Sequence, residues 1–195
     1  MKIYFNGDSY TYGSELSDKS KKFSTLLCGK LGAEETNDSV TGCGNWSILR
    51  RTMDRDMSEY DLAVINLSNI GRMEYWDVNV GWKKISVHKF KEDSEHNRFW
   101  NYYMKKIWTW EYGIAEEKIV YNSLKNLCQV NNVPLILTTI RGLHMSSGRV
   151  GDYSDLPFDL LLSDLKYPRC PGNHPNEEGH QMITNDLVKI YENLL

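Results

Sequence analysis

The stretch Lys2-Ile3-Tyr4-Phe5-Asn6-Gly7-Asp8-Ser9 decides the architecture. Its first four residues are mostly apolar and read as a short strand, and Asn6-Gly7-Asp8-Ser9 is a turn-forming cluster, so the strand ends in a sharp bend. Phe23, Leu26, Leu27 and Leu31 then recur at helical spacing with Gly32 as a stop, which predicts a helix from about Ser20 to Leu31. The alternation repeats outward from this unit. A weak strand near Asn37 precedes a helix carrying Trp46, Leu49 and Met53, and a strong strand runs from Leu62 to Leu67. A helix with Ile119, Val120, Leu124 and Leu127 leads to a strand from Val133 to Ile140, and a last helix carries Met182, Ile183, Leu187, Ile190 and Tyr191. Strand and helix in alternation predict an α/β chain with a parallel sheet covered on both faces.

At 195 residues the chain suits one compact domain, 1–195. With 26 acidic against 23 basic side chains its net charge is −3, which argues against a nucleic-acid partner. No apolar run reaches the roughly 18 residues of a membrane span, and no signal-peptide core precedes Ile3, so the expected location is cytoplasmic with no membrane partner. Cys28, Cys43, Cys128 and Cys170 form no CxxC pair and read as reduced thiols.

One segment breaks the rhythm. From Tyr75 to Tyr112 lie 11 of the 23 aromatic residues and five of the six tryptophans, interleaved with lysines, so an aromatic-rich insertion is expected at about 72–112. Phe99, Tyr103, Ile107 and Trp110 fit a helical stripe, which predicts an inserted helix packed on the core or on a second copy of the chain. A lid or a sugar-binding wall is the functional alternative.

In an open parallel sheet, ligands gather beyond the carboxyl ends of the strands. There the sequence places Gly7-Asp8-Ser9, then Val40-Thr41-Gly42-Cys43-Gly44-Asn45, then Ser68-Asn69, with His174-Pro175-Asn176 before the final helix. A hydroxyl, unhindered backbone amides, a side-chain amide and an imidazole are the parts of acyl transfer by an activated serine. Each part alone has a plain structural reading: Gly-Asp-Ser as a turn and helix cap, Gly42 as a turn, Asn69 as a cap.

In order and spacing, Gly7-Asp8-Ser9, Gly42 at the end of Asn37-Asp38-Ser39-Val40-Thr41-Gly42, Asn69 and His174 resemble the four sequence blocks of the SGNH/GDSL hydrolases, and they span nearly the whole chain. The resemblance implies a three-layer α/β/α sandwich of flavodoxin-like type with a mostly parallel central sheet. It also implies a serine esterase with Ser9 as nucleophile, Gly42 and Asn69 as oxyanion donors beside the Ser9 amide, His174 as base, and no cofactor or metal. The expected substrate is a small acyl ester, such as an O-acetyl ester, of a carbohydrate or similar polar alcohol. Acyl transfer on the same scaffold and a non-catalytic saccharide- or protein-binding module are the alternatives. Two departures matter. Leu67-Ser68-Asn69-Ile70 keeps only the asparagine of the usual third block, and Pro171 stands where an Asp three residues before the histidine is usual. Either a backbone carbonyl orients His174 in a Ser-His dyad, the favoured expectation, or an acid from elsewhere does so, Asp164 or Asp159.

Arg72 beside Glu74 and Arg141 after the fourth strong strand are candidates to bind an anionic group of a substrate, with a surface ion pair as the simpler role. His88 and His96 read as solvated, and His144 could face the cleft. Cys170, His174 and His180 offer at most three zinc ligands without HExxH or CxxC spacing, which is a weak pattern.

Overall fold

The computed structural model describes residues 1–86, 106–140 and 156–194, together with 99, 102 and 103. Strands β1 (Lys2–Asn6), β2 (Glu34–Asn37), β3 (Leu62–Leu67), β6 (Leu135–Thr139) and β7 (Leu160–Leu161) form one sheet in the order β2-β1-β3-β6-β7, and every pairing is parallel. The strands β4 (Arg72–Asp77) and β5 (Gly81–Ser86) make a separate antiparallel hairpin. The helices are α1 (Ser9–Tyr12), α2 (Phe23–Leu31), α3 (Asn45–Met53), α4 (Trp110–Val130) and α5 (Glu177–Glu192).

Side chains alternate across a strand, and here the alternation sorts them into two cores. Ile3, Phe5, Val64 and Ile136 face Phe23 and Leu27 of α2 and Ile183 and Leu187 of α5. Tyr4, Ala63, Ile65, Leu67 and Leu137 face Ile48 and Leu49 of α3 and Val120 and Leu124 of α4. β3 is buried along its whole length because it is covered on both faces, which is why Leu62–Leu67 reads as an unbroken apolar run around a single Asn66. The expected α/β architecture, with a mostly parallel sheet between helical layers, is the one observed.

Several local expectations shift. The helix expected from Ser20 begins at Phe23, because Lys22 is extended (φ −69°, ψ 147°) and separates α2 from a 3-10 turn at Lys19–Lys21. In α3 the buried face carries Ser47, Ile48, Leu49 and Thr52, while Trp46 and Met53 point to solvent. The insertion opens with the β4–β5 hairpin, ahead of the stripe from Phe99 to Trp110 where a helix is expected. Residues 99, 102, 103 and 106 are helical, yet Phe99 and Ile107 are exposed, and it is Trp108 that is buried. Trp108 lies under α4, where a side chain on Gly113 would meet its indole at 2.6 Å.

At the far edge β7 pairs only Thr138 and Thr139 of β6. Beside it, Asp159 takes the place of a partner strand: its N–H donates to the Leu137 carbonyl at 2.9 Å, and its carboxylate accepts the Leu137 N–H at 2.7 Å.

Candidate active site

The chain runs from β1 outward to β2, then returns across β1 to β3, so the order of strands reverses between β1 and β3. Loops leaving two such neighbours diverge and open a crevice at the carboxyl ends of the strands. Ser9 sits there, as the first residue of α1, with Asp8 as the helix cap accepting the Tyr10 N–H at 3.0 Å.

Among the described residues, Gly7, Asp8 and Tyr10 tie the Ser9 segment to the second and third loops and to the turn before the last helix. The Gly7 carbonyl accepts the Val40 N–H at 3.0 Å and the Cys43 thiol at 3.2 Å, which fastens the Thr41–Gly42 turn. Gly7 itself has no room for a side chain, since a Cβ there would lie 2.4 Å from Thr11 Oγ1. Asp8 is fully buried and accepts from Asn66 Nδ2 at 3.0 Å, Ser68 Oγ at 3.2 Å and Arg72 at 2.6 Å. Tyr10 donates its hydroxyl to the Asn173 carbonyl at 2.8 Å, and its ring lies 5.4 Å from that of His174. Gly7, Asp8 and Tyr10 thus link the segment that carries Ser9 to the loops that carry Gly42 and Asn69 and to the turn that carries His174. Among the described residues no hydrogen bond joins Ser9 Oγ to His174, a contact that commonly tightens only once substrate is bound.

Gly42 adopts φ 71°, a left-handed conformation that glycine tolerates without strain, and its position is open, with nothing within 4 Å of a notional Cβ. Asn69 spends its side-chain oxygen on the Gly71 N–H at 2.8 Å, leaving the amide nitrogen as the group available to donate. The Ser68 N–H is held by Asn45 Oδ1 at 2.7 Å, so the third loop is anchored to the start of α3.

His174 is presented by a tight turn: the Cys170 N–H donates to the His174 carbonyl at 2.8 Å, and Asn173 takes φ 70°. Arg169 braces this turn from behind, reaching Tyr10 Oη, the Asn173 carbonyl and the carbonyls of Ser163 and Asp164. The partner of His174 Nδ1 is Glu15 Oε2 at 2.6 Å. This corrects the sequence reading, which favoured a backbone carbonyl and otherwise Asp164 or Asp159. The Asp164 carboxylate accepts the Lys166 N–H in a local turn, and that of Asp159 is bonded to Leu137. Nothing in the sequence near His174 points to Glu15, which lies six residues after Ser9.

Arg72 is turned inward to Asp8 and to Ser68 Oγ at 2.8 Å, and Glu74 pairs with Arg50 at 3.0 Å, so the Arg72–Glu74 surface pair does not form. With its charge met by a buried carboxylate, Arg72 joins the hairpin to the serine loop in place of the expected substrate-binding role. Arg141 and His144 lie outside the described residues, as do His88 and His96. The three zinc candidates do not converge: His174 Nδ1 faces Glu15, and the buried His180 accepts the Phe23 N–H on Nδ1 at 3.1 Å. Among the described residues no group of three or more His, Cys, Asp or Glu is placed to hold a metal ion. No helix among them is long and apolar enough to cross a membrane.

The fold has counterparts among solved structures. TesA superposes over 100% of both chains with a TM-score of 0.63 at 14% identity. The chain has the fold of the SGNH/GDSL hydrolases. Esterase EstA from a Pseudoalteromonas species matches with a TM-score of 0.56 at 14% identity, over 98% of both chains. The acetyl xylan esterase AlAXEase matches with a TM-score of 0.57 at 16% identity, over 97% of this chain and 99% of its own. No family model matches the sequence, and no curated protein does. The likeness to these structures is therefore one of fold.

Proposed function

We propose that this SGNH-fold chain is a serine ester hydrolase acting on a small acyl ester, such as an O-acetyl group, of a carbohydrate or similar polar alcohol. The observation that carries the reading is that the loops bearing Gly42 and Asn69 and the turn bearing His174 are bonded to Gly7, Asp8 and Tyr10, the residues around Ser9 in sequence. His174 accepts the Ser9 hydroxyl proton as Oγ forms a bond to the ester carbonyl carbon. The Ser9 and Gly42 amides and Asn69 Nδ2 hold the resulting oxyanion, and each such donor contributes about 10²- to 10³-fold in rate. Collapse breaks the ester C–O bond, and the proton on His174 leaves with the alcohol. Water, deprotonated by His174, then releases the acid and frees Ser9. The likeness to an acetyl xylan esterase supports the choice of acyl group and alcohol.

Labelling with a fluorophosphonate probe, read by intact mass on the wild type and on Ser9→Ala, tests the nucleophile without knowledge of the substrate. One adduct on the wild type and none on the variant is expected; an unlabelled, folded wild type favours a binding module. Acetate release from acetylated xylo-oligosaccharides, set against release from long-chain nitrophenyl esters, tests the substrate class.

A further inference from the structure

The Glu15 carboxylate is more than half of a surface ion pair. Oε1 accepts the Gly172 N–H at 2.8 Å, and Oε2 accepts the His174 N–H at 3.3 Å as well as facing Nδ1. Three donors from a single turn therefore converge on one carboxylate, two of them backbone groups whose positions are fixed by the fold. The hydrogen bond from His174, aided by those amides, holds the Glu15 carboxyl below its ordinary range.

Both sides of the contact are shaped for it. Glu15 has φ 67°, a left-handed conformation that costs a non-glycine residue about 1 kcal/mol or more and persists where surroundings impose it. Here Gly13 caps α1 in the same conformation, the Ser14 N–H returns to the Ser9 carbonyl at 2.9 Å, and Leu16 is buried, so the chain doubles back toward the histidine turn. On the other side, a Cβ on Gly172 would lie 2.5 Å from Glu15 Oε2, so the approach needs glycine there. Pro171, three residues before His174, has no acid to offer.

We propose that Glu15 is the positioning acid of His174, supplied from the nucleophile's own segment, an inference whose catalytic part rests on the hydrolase reading above. An Nδ1–H donated to Glu15 fixes the tautomer in which Nε2 is the unprotonated nitrogen, the one that can take the Ser9 proton. Glu15 also fixes the ring's direction and stabilises the imidazolium once the proton has moved. Glu15 follows α1 by three residues, and the Ser14 N–H bond to the Ser9 carbonyl ties its segment to the start of that helix, so nucleophile and acid are set relative to each other by local backbone bonds.

The test combines nitrogen-15 NMR of His174 with the rate of phosphonate labelling at Ser9, on the wild type, Glu15→Gln and Gly172→Ala. At mildly alkaline pH the wild type is expected to show His174 as the Nδ1–H tautomer with a downfield proton. Glu15→Gln retains an acceptor for the Gly172 amide, yet is expected to lose that proton and to slow labelling about 10²- to 10⁴-fold. Gly172→Ala keeps Glu15 chemically intact and is expected to reproduce the same NMR change by displacing the carboxylate. An Nε2–H tautomer in the wild type, or Glu15→Gln labelling at the wild-type rate, overturns the proposal. If the wild type fails to label while the Nδ1–H signal is present and Glu15-dependent, the hydrolase reading has failed and the positioning contact stands.

Discussion

Asp8 and Arg72 are bonded at 2.6 Å, with the carboxylate wholly buried and the guanidinium arriving from the first residue of the β4–β5 hairpin. Asn66, Ser68 and the Tyr10 amide complete the carboxylate's hydrogen bonds, so the charge next to Ser9 is satisfied from the sheet, the third loop and the hairpin together. A buried pair of this kind is costly to break from one side because the survivor stays desolvated. Arg72→Ala is expected to lose about 3 kcal/mol of stability in urea unfolding. A variant within 0.5 kcal/mol of the parent, on the order of a surface substitution, would show that the hairpin is not bound through this contact.

The two glycines of the second loop should fail for different reasons. At Gly44 a Cβ would sit 2.1 Å from the Arg72 carbonyl oxygen, so Gly44→Ala must push the hairpin away and is expected to cost about 1 to 3 kcal/mol. Gly42 has open space but a left-handed φ, so Gly42→Ala is expected to cost about 1 kcal/mol in stability and to lower turnover more, by tilting the amide that meets the oxyanion. Chemical unfolding and kcat measured on both variants separate the two effects. Equal loss of kcat and equal loss of stability in the pair would contradict this assignment.

Tyr10→Phe removes the hydroxyl that joins α1 to the His174 turn through the Asn173 carbonyl and Arg169. Loss of about 1 to 2 kcal/mol is expected, together with slower labelling of Ser9, because the turn that presents the imidazole loses a brace. Labelling at the parent rate by the destabilised variant would show that Arg169 alone suffices.

His180 is fully buried, with Nδ1 accepting the Phe23 N–H and its ring stacked on Phe23 at 5.7 Å. Burial, with His174 and Lys19 as nearby positive charges, pushes its pKa down from 6.5 to about 4. The folded state thus resists a proton that the unfolded chain accepts, so stability is full above the unfolded value and falls as pH drops toward the folded one. Between pH 7.5 and pH 5 the loss from this group is about 2 kcal/mol. His180→Asn, which retains an acceptor for Phe23, is expected to flatten that decline in urea midpoints measured across the range. An unchanged slope would assign the acid sensitivity to other groups.

The centre of the sheet is readable in the sequence because β1, β3 and β6 are buried and stand out as mostly apolar runs; Leu62–Leu67 is predicted to the residue. The hairpin was not readable, since Arg72–Asp77 and Gly81–Ser86 mix charge and aromatics with no alternation that marks a buried face. Nor was the two-residue β7, too short to carry a periodicity. In the proposed site, Ser9, Gly42, Asn69 and His174 stand out in the sequence by their order and spacing in loops that follow strands or precede the last helix. Glu15 does not, because what singles it out is a chain reversal at a positive φ and the absence of a side chain at Gly172, 157 residues away, which only the folded chain brings together.

The Asp159 carboxylate on the outer side of β6 has a consequence for encounters between molecules. An unpaired strand edge is a template on which another chain can grow by backbone pairing, and a two-residue β7 covers little of it. By occupying the Leu137 N–H, Asp159 places a negative charge where a foreign strand would need a carbonyl, and so keeps the sheet from recruiting its neighbours. Burial raises the pKa of this carboxyl, so acidification neutralises that charge sooner than it would the charge of an exposed aspartate.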